Sequence, residues 1–403
     1  MKNIFYHLTI ILFLTCTCSS PKQKGDDNNK NWQQITSDAK GKTVNLMMWK
    51  GDPLINKYMS DYVVPELQKQ FGISLHIIEG QGNAIVSILM TELETNKQKS
   101  EIDMMWINGE TFYQLRQINA LYGPFVEKLP NNEYVDWESP FIAYDFQQAV
   151  DGYECPWGNV QLAMIYNSDK VQNPPMNLSE LEIWVKEHPG KFTIGNEFTG
   201  MTLLKSWLIH LAGGKDSLSG KFNEEKYLKH STQLWAYLQR IKPYFWNEGK
   251  SFPASIAQMH QLFSNGELWF TMSNNDGEVD NKMLQGIFPE SSRAYVPEIG
   301  TIQNSHYMGV VKHSDNKEAA MIVCNFLISP EAQFRKMQAS VWGDHTILSI
   351  SKLPVDWQQK FKEIPDRKYA PERGDIQGRA LREPAPEYMI RLFDDFRKEV
   401  MEK

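Results

Sequence analysis

The sequence contains none of the short motifs that identify common classes of enzyme. Its 403 residues include no HExxH, no GxxxxGKS/T, no GxSxG and no GxGxxG. These absences remove the signal for zinc proteases, phosphate-binding loops, serine hydrolases and dinucleotide-binding turns, because each chemistry needs its residues at that spacing. The 9 histidines lie apart, and no two have the spacing of a zinc ligand pair. We therefore expect no catalytic residues, no metal and no cofactor.

A surplus of positive charge is also missing. Against 42 Lys and Arg the chain has 49 Asp and Glu, which gives a formal net charge of −7 at pH 7. Without a basic arm or stripe, the sequence offers no electrostatic surface for nucleic acid. A mildly acidic balance is typical of a soluble protein that works as a monomer outside the membrane.

Long hydrophobic runs are absent as well, and the one marked apolar run is short. It covers residues 4–14 behind Lys2, which is too short for a membrane-spanning helix but fits a secretory signal. Cys16 and Cys18 follow it among small polar residues, an arrangement that resembles a lipobox, in which a cysteine is acylated. We expect a lipoprotein signal peptide over residues 1–17, with Cys16 or Cys18 lipidated. An ordinary signal peptide with two incidental cysteines is the alternative.

Cysteine is scarce beyond that segment. Of the 4 cysteines, Cys155 and Cys324 alone lie in the part expected to fold. One disulfide is conceivable, but the apolar neighbours of each favour two separate buried thiols. Residues 18–40, ahead of the first strand, are rich in Lys, Asp, Asn, Gln and Ser, a composition that predicts a flexible tether.

From residue 42 onward, strand and helix patterns alternate. A strand at 42–49, a helix ending at Gly72, a strand at 73–78, a helix at 84–96 and a strand at 102–107 give β-α-β-α-β. The pattern restarts near Asp151. We expect an α/β fold of two lobes, each a mostly parallel sheet with flanking helices, joined by a hinge with a cleft between them. Lobe 1 would comprise residues 41–150 and 303–350, and lobe 2 residues 151–302 and 351–403.

Two loops at the carboxyl ends of predicted strands combine an aromatic residue, a glycine and a carboxylate. They are WKGD at 49–52 and WINGE at 106–110. Ligands of open α/β sheets bind at such strand ends, although a turn glycine beside a helix cap also explains each loop. Further loops carry the aromatic walls and placed polar groups that a solute pocket needs. The candidate ligand-binding residues are Trp49, Asp52, Trp106, Asn108, Gly109, Glu110, Trp157, Phe198, Thr199, Asn274, Asn275, Asp276, Tyr307 and Trp342. Singly, each tryptophan is as well explained by a core position.

Three of these acids bear on the charge of the solute. If Asp52, Glu110 and Asp276 face the cleft together, they favour a cationic or amine-bearing solute, with the tryptophans supplying cation–π contact. The same acids are the candidates for the carboxylate pair of a glycoside hydrolase, although nothing in their spacing favours catalysis.

A series of loop motifs runs through the chain in a fixed order. They are IDMMWINGE at 102–110, LYGPF at 121–125, PWG at 156–158, HPGKFT at 188–193, FTG at 198–200, TIQNSHY at 301–307, NFLISPEAQ at 325–333 and WGD at 342–344. In this order they resemble the YnjB-like substrate-binding proteins of bacterial ABC transporters. Residues 194–197 (IGNE) depart from the family, whose members usually carry a proline-rich stretch there.

That resemblance implies a periplasmic-binding-protein fold of the type II kind, which closes around a small polar solute and presents it to a permease. The expected partners are the solute, the ABC transporter permease and, through the lipid anchor, the membrane. The expected location is the periplasm or the cell surface. Two rival functions remain: a surface glycan-active lipoprotein, either a hydrolase or a glycan-binding module, and a structural lipoprotein without a small ligand.

Overall fold

The fold is described here from a computed structural model that covers residues 30–403. The predicted signal peptide, Cys16, Cys18 and the first part of the predicted tether lie outside the described residues. Within residues 30–403, none of the helices combines the length and the apolar character needed to cross a bilayer.

Helices make up most of the regular structure. The α-helices are α1 (Trp32–Ala39), α2 (Pro53–Tyr58), α3 (Val64–Phe71), α4 (Gly82–Glu94), α5 (Gly109–Gln117), α6 (Pro140–Ala143), α7 (Leu178–Glu187), α8 (Phe198–Leu211), α9 (Glu224–Ile241), α10 (Ile256–Ser264), α11 (Glu278–Leu284), α12 (Lys317–Leu327), α13 (Pro330–Met337), α14 (Val355–Lys362), α15 (Arg373–Ile376) and α16 (Pro386–Phe396). A π-helical turn, Met59–Val63, joins α2 to α3. Gly72 ends α3 in the left-handed conformation (φ 67°), which glycine adopts without steric cost.

The strands form a large sheet, a smaller sheet and a hairpin. They are β1 (Thr43–Met48), β2 (Ser74–Glu79), β3 (Met104–Ile107), β4 (Tyr144–Asp145), β5 (Gln148–Ala149), β6 (Glu154–Gln161), β7 (Ala163–Asn167), β8 (Phe270–Ser273), β9 (Ser292–Tyr295), β10 (Thr301–Val310) and β11 (Ala380–Leu381). The six-stranded sheet has the order β11-β10-β3-β1-β2, with β6 also paired to β10.

The large sheet contains the predicted β-α-β-α-β unit. Strand β1 pairs in parallel with β2 and with β3, while β10 runs antiparallel to β3 and β6. The three-stranded sheet of the second lobe, in the order β8-β7-β9, is antiparallel throughout. This differs from the mostly parallel sheet expected there. A short apolar run predicts a buried strand but carries no information about its direction.

Each lobe has its own hydrophobic core. In lobe 1, buried residues of β1, β3, α2 and α12 pack together with the end of β10, including Leu46, Met104, Val310 and Val323. In lobe 2, the core is built from α8, α9, α16 and β8, including Leu204, Leu238, Met272 and Leu392. The helical apolar stripes read from the sequence face these cores, as burial of one face requires.

Strands β6 and β10 run from one core into the other. At one end of β10, Ile302 lies in the core of lobe 2, and further along the strand Met308 lies in the core of lobe 1. Strand β6 follows the same course, since Cys155 and Trp157 pack in lobe 1 while Leu162, just beyond it, packs in lobe 2. These paired crossings give the molecule a shared axis between its lobes.

Three segments differ from the expected division. Residues 32–39 were expected within a flexible tether, yet α1 buries Ile35 and Ala39 against the core of lobe 1. An Asn31–Gln34 capping box starts this helix, so two apolar residues and a cap suffice to dock it. Strand β6 belongs to the large sheet and not to lobe 2. Finally, α14 packs on lobe 1 through Phe361, because its apolar face meets α13.

Both folded cysteines are free and buried, as the apolar context of each suggested. They are neighbours, however. Burial raises the pKa of Cys155, and contact with the Cys324 thiol raises it further.

Candidate functional site

The crossing strand β10 carries two partly accessible polar side chains at the junction of the two lobes. Asn304 and His306 are half-buried, while the residues on either side of each are buried. Because side chains two residues apart point to the same face of a strand, these two share one side of β10. They mark a candidate site that has an aromatic half around His306 and a charged half around Asn304.

The aromatic half is a cluster of tryptophans centred on Trp106. Its ring centroid lies 5.0 Å from that of His306, 5.0 Å from Trp157 and 6.4 Å from Trp49. His306 also stacks on Trp342, with 5.6 Å between centroids and an interplanar angle of 18°. Trp157 and Trp342 are buried, whereas Trp49 and Trp106 remain half-buried. The two half-buried rings can therefore contact a solute, while the buried pair supports them from behind.

A buried ion pair fixes the orientation of His306. Asp344 and Lys336 are fully buried and bonded to each other, and the His306 Nε2 atom lies 3.1 Å from the Asp344 Oδ2 atom. Burial alone would raise the pKa of Asp344, but the Lys336 ammonium and His306 outweigh it and hold the pKa below its usual value. Asp344 is thus an ionised anchor for the imidazole, in the manner of a carboxylate behind a histidine.

The charged half is built around a second buried pair, Lys205 with Glu383. Their side chains are almost entirely inaccessible and directly bonded. Asn304 donates to the Glu383 Oε1 atom at 2.9 Å, which connects the pair to β10. The Lys205 Nζ atom also lies 4.2 Å from the ring centroid of Phe146 and 5.6 Å from that of Phe198. The ammonium is therefore held between carboxylate and aromatic faces.

Two more carboxyls lie beside this pair. Burial raises the pKa of the half-buried Glu110, as does the nearby Glu383, while Lys205 lowers it. Burial likewise raises the pKa of Asp145 well above its usual value, with Glu383 and Glu110 adding to the effect. Burial also raises the pKa of Glu383. We call Glu110, Asp145 and Glu383 the carboxyl cluster.

Close approach of the Phe146 ring to the backbone of Gly109 brings the carboxyl cluster together. Gly109 begins α5 directly against Phe146, at the tip of the β4–β5 hairpin, and a Cβ atom on Gly109 would stand 2.0 Å from a ring carbon. Only glycine allows this contact, which brings Glu110 of α5 towards Asp145 of β4. Phe146 itself is packed in the core of lobe 2. The hairpin tip therefore contacts both lobes.

The three acids that were expected to converge do not. Asp52 caps α2, accepting from the Leu54 and Ile55 amides at 2.7 and 3.1 Å, and its other oxygen binds Lys282 of lobe 2 at 2.7 Å. Asp276 is fully buried between Arg367 and Arg373. Burial would raise the pKa of Asp276, but the two guanidinium groups hold it far below its usual value. Each of these acids already has its own cation, so Glu110 alone adjoins the candidate site.

Of the other predicted residues, two have structural roles and the rest lie near the starts of helices. Tyr307 is a core residue whose hydroxyl donates to the Ile142 carbonyl at 2.9 Å. Asn275 serves a turn, since its side-chain oxygen accepts from the Gly277 amide at 3.0 Å. Asn274 remains half-buried and donates to the Thr199 hydroxyl at 3.1 Å, which places the two together at the start of α8 beside Phe198. Asn108 is half-buried at the start of α5, where its side-chain oxygen accepts from the Thr111 hydroxyl at 3.2 Å.

Sequence reasoning missed Lys205, Glu383, Asn304 and Asp145. One signal was available: Lys205 interrupts the apolar run LLKSWL of α8, and a lysine on a buried helix face requires a partner. Nothing local identifies Glu383 as that partner, because 178 residues separate them.

The chemistry of the site suits binding. Among residues 30–403, no three His, Cys, Asp or Glu side chains are arranged to hold a metal ion. Half-buried rings, an amide and partly neutralised carboxyls can together contact a small polar molecule through hydrogen bonds and ring faces.

Comparisons with known proteins agree with this geometry. A family model for bacterial extracellular solute-binding proteins matches residues 63–363. Protein YnjB of Escherichia coli (strain K12) is 35% identical over 328 residues, which cover 80% of this chain and 84% of that protein.

Solved structures share the fold at low sequence identity. The TpPotD lipoprotein of Treponema pallidum has a TM-score of 0.63 at 14% identity, covering 90% of this chain and 100% of that one. The spermidine/putrescine ABC transporter substrate-binding protein PotD of Streptococcus pneumoniae has a TM-score of 0.59 at 17% identity, covering 88% and 99%. The chain therefore belongs to the bacterial extracellular solute-binding proteins, as a YnjB-like member with the two-lobed periplasmic-binding-protein fold.

Proposed function

We propose that this protein is the lipid-anchored receptor of an ATP-driven importer, which captures a small polar solute between its lobes and delivers it to the permease. The observation that carries the proposal is the face of β10 that bears Asn304 and His306, where half-buried aromatic and polar side chains from both lobes meet. A solute that contacts both lobes binds the closed form more tightly than the open form, and so shifts the population towards closure.

Contacts between the lobes support closure as the working motion. Asp52 of lobe 1 binds Lys282 of lobe 2, and the Asn281 side chain donates to the Trp342 carbonyl at 2.6 Å. Neither contact involves the backbone hydrogen bonds of β6 and β10, so both can separate while the crossing strands stay paired. The permease would then distinguish the loaded shape from the empty one.

The proposed function can be tested by solute-dependent stabilisation. Purified protein is screened by thermal shift against amines, sugars, amino acids, vitamins and oxyanions, and each hit is examined by small-angle scattering. A true solute raises the melting temperature and reduces the radius of gyration. At a hundredfold excess over its Kd, it adds about 2.7 kcal/mol to the free energy of unfolding. Trp106→Ala should abolish the shift. Stabilisation by no class of solute, together with an unchanged radius, would refute the receptor function.

Lipid anchoring and export are tested separately in cells. Labelling with a palmitate analogue should tag the wild type, and replacing both Cys16 and Cys18 by serine should remove the tag and release the protein from membranes. Each single replacement identifies the acylated cysteine. The TpPotD lipoprotein of Treponema pallidum, with its similar fold, supports this part of the proposal.

A further inference from the structure

Asp145 is a buried carboxyl without a hydrogen-bond partner in residues 30–403, on either of its oxygens. Its side chain is only 2% exposed. Leaving both oxygens of a buried carboxyl without a hydrogen bond destabilises the folded protein, because each oxygen has lost its water and gained no donor. Neither the fold nor its core packing explains this residue.

The groups that face Asp145 come from every element packed around the hairpin. They are Lys205 on α8, Glu383 after β11, Glu110 on α5, Glu154 of β6 and Tyr307 of β10; Arg116 of α5 in turn acts on Glu154. Lys205 is the cation that acts on the carboxyl cluster, and it is already bonded to Glu383. The cluster therefore has more acid groups than the neighbouring cation can neutralise.

We propose that the carboxyl cluster binds the alkylammonium group of an organic cation, which enters between Glu110 and Asn304 and donates hydrogen bonds to Glu110, Asp145 and Glu383. This inference rests on the proposed receptor function and names the class of solute. Glu110 and Asn304 are the half-buried members that the solute meets first. Phe146 and Phe198 already flank one ammonium here, and the half-buried Trp49 and Trp106 face the apolar body of the solute.

An organic cation fits better than a metal ion. In residues 30–403 no three His, Cys, Asp or Glu side chains, those of the carboxyl cluster included, are arranged to hold a metal ion. An ammonium carries several N–H donors in one compact group, whereas a metal ion needs several oxygens at one coordination distance. The aromatic faces around Lys205 favour the same choice.

Binding releases protons. Burial favours the protonated form of these carboxyls, whereas an ammonium binds their ionised form. Each carboxyl that ionises gives its proton to solvent as N–H···O bonds form to its oxygens. Affinity for the solute therefore rises with pH over the range in which the cluster ionises, provided that the solute itself stays charged.

The test compares matched probes by isothermal titration calorimetry. Linear mono- and diamines and phenethylamine should bind, whereas phenethyl alcohol and phenylpropionate, the neutral and anionic analogues, should not. Repeating the titration in buffers of different ionisation enthalpy should reveal net proton release. Asp145→Asn and Glu110→Gln should each weaken amine binding roughly tenfold to a hundredfold, since a charge-assisted hydrogen bond is lost, and should flatten its pH dependence.

Glu79→Gln is the matched control. It removes one negative charge at the same edge of the large sheet from an exposed position, and should leave amine affinity within about twofold of the wild type. Asp145→Asn should melt no lower than the wild type, so lost binding cannot be attributed to unfolding.

The outcomes separate this inference from the proposed function. Closure and stabilisation by neutral or anionic solutes, but by no amine, would overturn the ammonium site and leave the receptor function standing. Amine binding that ignores both substitutions would place the site elsewhere and overturn the inference. If no solute of any class binds, both proposals fail together.

Discussion

At the scale of single residues, the pair formed by Lys205 and Glu383 shows how a buried charge depends on its partner. Lys205→Met leaves Glu383 buried beside Asp145 without its cation, and we expect a loss of about 3–5 kcal/mol in the free energy of unfolding. The double variant Lys205→Met with Glu383→Gln removes both charges and should recover most of that loss. Urea unfolding of the three proteins measures the difference. Equal destabilisation of the single and double variants would contradict the assigned pairing.

Single residues are also where sequence reasoning reached its limit. The string WKGDP predicts that Asp52 caps a helix, because the cap depends on the next few residues alone, and the cap is present. The second role of Asp52, bonding to Lys282, depends on a partner 230 residues away. The same applies to Asp276, whose two arginines come from a late segment of the chain. Local patterns cannot predict such pairs, so two acids were expected to face the solute when each already has a cation.

At the scale of elements, α2 and α11 are joined across the lobes by Asp52 and Lys282. Lys282→Met breaks this ion pair while the Asp52 cap stays intact, so we expect the solute-free protein to spend more time open. Small-angle scattering should show a larger radius of gyration without solute and the wild-type value with saturating solute. Asp52→Asn should behave alike, since its amide oxygen still caps α2.

Asp52→Ala separates the two roles of this residue. It loses the cap as well, and should lower the free energy of unfolding by about 1 kcal/mol more than Asp52→Asn. An unchanged solute-free radius in Lys282→Met would show that the pair does not restrain opening.

Composition misled us about one element and pattern about another. Residues 32–39 read as tether because their neighbours are polar, yet Ile35 and Ala39 fall on one face and dock α1 on α12. The second sheet was expected to be parallel by analogy with the first, but its strands are short and their direction is set by long-range packing. Periodic helices and the first β-α-β-α-β unit, whose signals are local, could be predicted.

At the scale of the whole molecule, the carboxyl cluster makes stability depend on pH. Burial raises the pKa of Asp145, so the folded protein keeps a proton that the unfolded chain has released above about pH 4. Stability from this group is therefore present at low pH and lost as pH rises towards the folded pKa, by up to about 1.4 kcal/mol per pH unit. The Asp145→Asn variant lacks this titrating proton, so its stability does not carry this dependence on pH.

The comparison of wild type with Asp145→Asn isolates that effect. The variant's gain in stability should be near zero at about pH 4 and grow as pH rises, because asparagine has no proton to release on unfolding. Melting curves across this range, without solute, measure it. A gain that shrinks with rising pH would mean that Asp145 is ionised and paired in the folded state.

The two-lobed architecture could be predicted as a whole because alternating patterns and ordered loop motifs are distributed along the chain. The location of the site within it could not. Trp106 and Glu110 were proposed from their loop, but the candidate site also includes Lys205, Glu383 and Asn304, which come from three distant segments. A binding site is assembled by tertiary contacts, whereas patterns in a single sequence identify only the residues of one loop and not their distant partners.

Strand β10 has its ends in different cores, and this placement would determine the order in which residues contact an incoming solute. Side chains near a pivot move least when two bodies separate, so the proposed opening would leave Asn304 and His306 in nearly the same position. An incoming molecule would settle first on this stationary pair. Phe198 from one side and Trp49 from the other would then arrive last, and on release they would be the first to let go.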